Sequence, residues 1–300
     1  MENRAAKPRR SLLNLATGSE ISRGYALLFP TLAFMLVLIA LPFAILLLMS
    51  FWTAQGFEFD TTLSLKNYQK IVKEPIVGVL MLRSLSISAT VTLVTVLLCY
   101  PIAYYVAFHV HRRKALWILL LTLPFLTSYL LRVFAWKIIL GYEGLINSTL
   151  MGFGLIDAPI EALLYSKTAV IVTLAHAWAA FAILPIYVSL EKIDRSLLET
   201  ATDLGDNSLR RFVRIVLPLS LPGVISAALL IFIPTTGDYI TPTLLGGPDG
   251  MMIGNYIQKL FGPINNWPMG AAVSVVLMVS ITLASIAFVG VTMFVRKRIT

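Results

Sequence analysis

Acids are scarce in this chain, and one of them stands where a charge is expensive. Asp238 follows "FIPTTG" and precedes "YITP", so Pro234, Gly237 and Pro242 surround it. Counted from Pro218 at about 1.5 Å per residue, it lies about 30 Å along an apolar segment, towards the far end. Prolines and a glycine so placed break a helix and leave backbone carbonyls free to line a cavity. A carboxylate there would attract a protonated amine, and Tyr239 would offer the cation an aromatic face. The same carboxylate equally suits a helix cap facing water, and both roles stay open. Catalysis finds less support. His109, His111 and His176 have no ligand spacing with acids, and the apolar segments carry no other cluster of acids or histidines. No G-x-x-x-x-G-K-[ST] loop is present, so nucleotide chemistry would have to come from another chain.

A second group of charges has a mechanical character. In "LETATDLGDNSLRRFVRIVLPLSLPG", residues 198–223, acids, arginines and a glycine separate two long apolar segments. The preceding "IDRS" suits a helix start. Leu197, Leu198, Ala201 and Leu204 recur at helical spacing, and Gly205 permits a left-handed turn that ends the helix. "DNS" can cap a second helix with Leu209, Phe212, Val213 and Val216 on one side. A rigid helix–turn–helix with exposed Glu199 and Asp203 can transmit a push if a partner's groove grips it. The plainer alternative is an amphipathic helix on anionic lipid, with Arg210, Arg211 and Arg214 facing headgroups.

Both groups have to be positioned by membrane helices. Of the 300 residues, 58% are hydrophobic and only 13% charged, with a mean hydropathy of +0.83. Soluble domains carry about a quarter charged residues, so this is an integral membrane protein. The formal net charge of +9 reflects basic residues in the gaps between apolar runs, which points to membrane topology and away from nucleic acid. The lone Cys99 sits in an apolar run and excludes an intrachain disulfide.

A span needs about 20 apolar residues. Six segments qualify, at 25–51, 79–108, 115–140, 168–190, 219–240 and 269–295, giving an all-α polytopic bundle. The leader "MENRAAKPRR" precedes an apolar run too long for a cleaved signal, and no cleavage pattern follows. Three parts result: a basic segment 1–24, a membrane domain 25–295 containing the polar loop 191–218, and a basic tail 296–300.

Four basic groups set the orientation. They are Arg4 to Arg23, Arg112 to Lys114, Lys192 to Arg214, and Arg296 to Arg298, and with six spans all fall on one side. By the positive-inside rule that side is cytoplasmic and holds both termini. The opposite loops have another texture. Leu65, Tyr68 and Ile71 mark a short surface helix; 141–166 is too broken by glycine for a span; 241–268 reads as turns plus one short amphipathic helix. Trp52, Trp117, Trp136 and Trp267 sit near span ends as interface anchors. Arg132, about 27 Å along its helix from Lys114, is placed to snorkel to the outer interface.

Glu199, Ala201, Gly205, Ile215, Leu217 and Pro218 fit the E-A-A, three residues, G, nine residues, I-x-L-P signature. In this the chain resembles the permease subunits of bacterial ABC importers, with Thr200 as the one departure in the triplet. "LPFLTSYLLRVFAWKIILG" and "FIPTTGDYITPTLLGGPDGMMIGN" are similar to the spermidine/putrescine branch, and related importers of opines and amino-acid derivatives share such stretches. The resemblance implies a type I importer permease fold. It also implies a coupling helix over 195–205 that docks in a cytoplasmic ATPase, with Asp203 exposed beside the motif. The partners it implies are an ATPase dimer that carries ATP and magnesium, a second and paralogous permease, and an extracytoplasmic solute-binding protein. The place it implies is the bacterial inner membrane. Two other classes are a membrane-embedded enzyme, which would need the cluster that the apolar segments lack, and an ion-gradient-driven carrier.

Overall fold

A computed structural model describes residues 20–299 apart from 57 and 164. The basic leader with Arg4, Lys7, Arg9 and Arg10 lies outside the described residues. Helix α1 (Glu20–Met49) is followed by a small antiparallel hairpin, β1 (Thr53–Gln55) with β2 (Glu58–Asp60), and by α2 (Lys66–Lys73). The hairpin interrupts the all-α expectation; α2 is the expected surface helix. Then come α3 (Pro75–Phe108), α4 (Lys114–Thr122), α5 (Tyr129–Ile139), α6 (Leu145–Gly152), α7 (Lys167–Ala177) and α8 (Ala179–Glu191). The chain continues through α9 (Arg195–Asp203), α10 (Ser208–Arg211), α11 (Leu217–Thr236), α12 (Gly247–Gly250), α13 (Ile253–Phe261) and α14 (Trp267–Ile299).

Among the described residues four continuous helices are long and apolar enough to cross a membrane: Leu27–Met49, Pro75–Phe108, Ser208–Thr236 and Trp267–Phe294. Two bent pairs bring the number to six if each is one span. The segment expected at 115–140 is Lys114–Leu126 joined to Tyr129–Ile139 at 82°, and that at 168–190 is Lys167–Ala177 joined to Ala179–Glu191 at 47°. The first bend has a local cause. A 3-10 turn at Leu123–Leu126 contains Pro124, and Thr127 after it is extended. The Thr127 hydroxyl donates to the Pro124 carbonyl at 2.7 Å. The second bend sits at Trp178 (φ −103°, ψ 3°) between two alanines, with no proline at the break.

Helix α1 begins at Glu20 and α14 ends at Ile299, so helix continues beyond the apolar stretches at both places. One boundary differs from expectation. The expected second surface helix is the start of the fifth span, because α10 passes through one π-turn (Phe212–Val216) directly into α11. Pro218 explains the turn: it has no N–H for the carbonyl of Arg214, and a wider turn absorbs the lost bond.

The core is built by α3, α7, α8 and α11. Ile87, Val91, Leu174, Ile186, Leu190 and Ile231 meet there, all fully buried. A second cluster joins the start of α3 to α13 and α14 through Val77, Leu80, Ile253 and Val273. By contrast α1 packs on α14 and leaves most of its large side chains exposed, Leu27 by 81%. Both ends of α3 are fixed. Near its start, the Ser84 hydroxyl accepts the Ile253 N–H at 2.7 Å; near its finish, the Ala107 carbonyl accepts from Lys114 and Arg195. The bundle therefore has a basic end, carrying α9, and an opposite end, carrying α13.

Candidate functional site

At the basic end α9 is a short, well-capped helix. The Asp194 carboxylate accepts the Ser196 N–H at 3.0 Å, which starts it. That backbone bond, and secondarily the Ser196 side chain, hold the Asp194 carboxyl below its ordinary value. Gly205 ends the helix with φ +86°, a conformation that a side chain would strain. Its N–H donates to the Thr202 carbonyl at 2.9 Å and that of Asp206 to the Ala201 carbonyl at 2.9 Å, a closed Schellman turn. Asn207 then caps α10 by accepting the Arg210 N–H at 2.9 Å.

The apolar side chains of this element divide in two. Ala201 is buried and Leu198 packs on the core; Phe212 sets its edge against the rings of Tyr100 at 5.8 Å and Tyr104 at 6.1 Å. Val216 and Pro218 are buried, Ile215 and Leu217 half-buried. Leu197, Leu204 and Leu209 point away, exposed by 47%, 82% and 70%. The expected single apolar face is thus an inner face that anchors and an outer tip that stays exposed among the described residues. Glu199 and Asp203 are exposed beside that tip.

Polar contacts stiffen the mounting. The Lys114 ammonium donates to both Glu191 carboxylate oxygens at 2.8 Å and to the Ala107 carbonyl at 2.8 Å; Arg195 donates to the same carbonyl at 3.2 Å. Arg214 pairs with Asp206 at 3.5 Å, and Arg211 donates to Thr202 and Ser208. Arg211 and Arg214 therefore tie the two arms together.

Asp238 occupies the opposite end, in the break that follows α11. Its Oδ1 accepts the Ile240 N–H at 3.0 Å, so the capping role is real; its Oδ2 accepts the Tyr129 hydroxyl at 2.7 Å. The Tyr129 oxygen also lies 2.6 Å from the Thr241 hydroxyl. Gly254 lets α13 close on this break: a Cβ there would stand 2.7 Å from the Gly237 carbonyl and 2.8 Å from that of Asp238. A cavity of about 350 Å³ opens beside the carboxylate, lined by Tyr129, Arg132, Trp178, Phe181 and Pro234. Three breaks meet there, after Leu126, at Trp178 and at Gly237.

Two expectations change at this cavity. Tyr239 does not line it; the residue is 45% exposed, and its backbone carbonyl accepts from Asn255 at 2.9 Å. Arg132 does not snorkel. Its guanidinium stacks over Phe125 (5.3 Å) and Tyr129 (5.9 Å) and donates to the Ala177 carbonyl at 3.0 Å, the acceptor exposed by the bend at Trp178. It forms no ion pair with Asp238 or Glu143 among the described residues. Sequence reasoning missed Tyr129 and Trp178, whose only signal was an aromatic next to a break.

The chain matches the model for the binding-protein-dependent transport system inner membrane component family over residues 18–299. It belongs to that family. The spermidine/putrescine transport system permease protein PotB of Haemophilus influenzae is 35% identical over 84% of this chain and 87% of its own length. The same-named protein of Escherichia coli is 34% identical over 88% and 96%. Among solved structures, a bacterial alginate ABC transporter in complex with an alginate pentasaccharide-bound periplasmic protein contains a chain with the same fold. It aligns with a TM-score of 0.64 at 17% identity, covering 87% of this chain and 91% of that one. The family is one of inner membrane transport components, which agrees with the apolar helices. As a member of this family the chain is a transporter component.

Proposed function

We propose that this permease forms half of the membrane pathway of an ATP-driven importer for a small amine-bearing solute, with a polyamine as the leading cargo. In this reading a second, paralogous permease completes the pathway, and a solute-binding protein delivers cargo at the Asp238 end. An ATPase dimer carrying ATP and magnesium grips Glu199, Asp203 and the leucine tip around Gly205. The basic end and both termini are cytoplasmic, in keeping with the distribution of lysine and arginine.

One observation carries the reading. An apolar tip, with Leu204 exposed by 82% and Leu209 by 70%, stands on an element whose other face is anchored in the core. Such a tip favours a partner's groove over water. Since α10 continues into the fifth span without a hinge, a displacement of α9 reaches α11 and the break at Gly237. The spermidine/putrescine names of the relatives and the Asp238 carboxylate support an amine in the cargo. An opine or another amino-acid derivative is the second reading, favoured by Arg132, whose guanidinium lines the same cavity and suits a carboxylate.

Gly205→Pro tests the coupling. Proline cannot adopt φ +86° and lacks the N–H that Thr202 accepts. Uptake and cargo-stimulated hydrolysis are expected to disappear while membrane insertion persists. Normal transport by this variant would remove the coupling role, and uptake driven by a proton gradient alone would favour the carrier.

A further inference from the structure

The Asp238 carboxylate presents an imbalance. It sits at the junction of three helix breaks and beside a cavity, yet its hydrogen-bond donors are both neutral, one backbone N–H and one phenol. No cation pairs with it among the described residues. Arg132 lines the same cavity but is turned onto the Ala177 carbonyl. Asp238 is half-buried, and a carboxylate held by neutral donors gains from a charged one.

We infer that Asp238 is the binding site for one primary ammonium group of the cargo, and that Tyr129 is the group this ammonium displaces. The inference rests on the importer reading above and specifies what its cavity binds. The geometry divides the labour between the two carboxylate oxygens. Oδ1 keeps the Ile240 N–H and so holds the turn after α11. Among the described residues Oδ2 is held by the Tyr129 hydroxyl alone, a side-chain donor that can rotate away, and Thr241 stands ready to accept that hydroxyl. An ammonium entering the cavity would replace the phenol at Oδ2 with a charge-assisted bond. The Tyr129 ring, with Trp178 and Phe181, would line the attached alkyl chain. Displacement has a structural consequence, since Tyr129 is the first residue of α5 and its bond to Asp238 ties the third span to the end of the fifth. Binding would therefore release that tie. Arg132 sets the capacity: with a guanidinium already on the wall, like-charge repulsion leaves room for a single ammonium, and a second amine of the same solute would extend out of the cavity.

The test is binding of radiolabelled putrescine to the detergent-purified permease–ATPase complex by equilibrium dialysis without nucleotide. Asp238→Asn keeps the shape and an acceptor for Tyr129 but loses the charge, so the dissociation constant should rise about tenfold or more. Tyr129→Phe keeps the ring and removes the competing donor, so it should fall by about threefold. Opposite signs are the signature, because a merely structural disturbance weakens binding in both variants. Equal constants in all three forms, a shift in the same direction for both variants, or no putrescine retained by the wild-type complex would overturn the inference. Dialysis needs no coupling, so this outcome is separate from that of Gly205→Pro uptake.

Discussion

The two ends of the molecule use polar groups in opposite ways. At the basic end they are doubled: Lys114 holds Glu191 and the end of α3 together, Arg195 reaches the same Ala107 carbonyl, and Arg211 and Arg214 tie the two arms of the α9–α10 element. Around the cavity beside Asp238 fewer side chains serve. One guanidinium serves the break at Trp178, and one phenol joins the third span to the fifth. The basic end is continuous helix through a π-turn, and the other end is where three helices stop. Redundant contacts suit an element that must move as a rigid piece, while single contacts suit one that must rearrange.

The comparison can be broken by removing one contact at each end. The larger effect belongs to Arg132→Gln. It withdraws the charged donor from the Ala177 carbonyl in the bend, and a bond to a charged group is worth about 2 kcal/mol. The variant should lower the thermal unfolding midpoint of the purified chain and speed amide exchange at 178–181; protection at the wild-type level would show that the bend needs no clamp.

A smaller effect is expected at the basic end from Asp194→Ala, which removes the cap of α9 but leaves Ala201, Leu198 and Phe212 packed. Exchange should quicken in the first turn of α9 without a change in the core helices. Acid should do the same to the wild type. The folded-state pKa of Asp194 is lowered by the Ser196 contacts, so the cap is fully present above the ordinary value of 3.8 and is lost as pH falls through the lower folded value. The protection factors of the α9 amides, corrected for the intrinsic exchange rate at each pH, measure this at pH 3 against pH 6, and equal factors would show that the cap contributes nothing.

Much of the basic end was legible in the sequence. Gly205 was readable as a left-handed turn because few other residues tolerate φ +86°, and Asn207 as a cap from its position before an apolar-periodic run. The six apolar segments were legible from length and composition alone. The bend at Trp178 was not, because alanines and tryptophan carry no breaking signal; its support comes from Arg132 in another span. For the same reason Arg132 was misread: spacing along its own helix gave a reach to the interface, and the competing carbonyl was invisible. Asp238 was found through its flanking prolines and glycine, but the side chain that hydrogen-bonds it is Tyr129, distant in the chain, which spacing could not show. The π-turn was foreshadowed by Pro218, yet that proline alone does not tell a wide turn from a separate helix.

The central claim is that the leucine tip beside Gly205 is gripped by an ATPase. Replacing Leu204 with a photo-activatable amino acid in membranes that contain the whole importer tests it directly. On illumination the account predicts one cross-linked product, the permease joined to the ATPase subunit, with its yield altered when ATP is added. Adducts with lipid alone, or no adduct at a position so exposed, would contradict it.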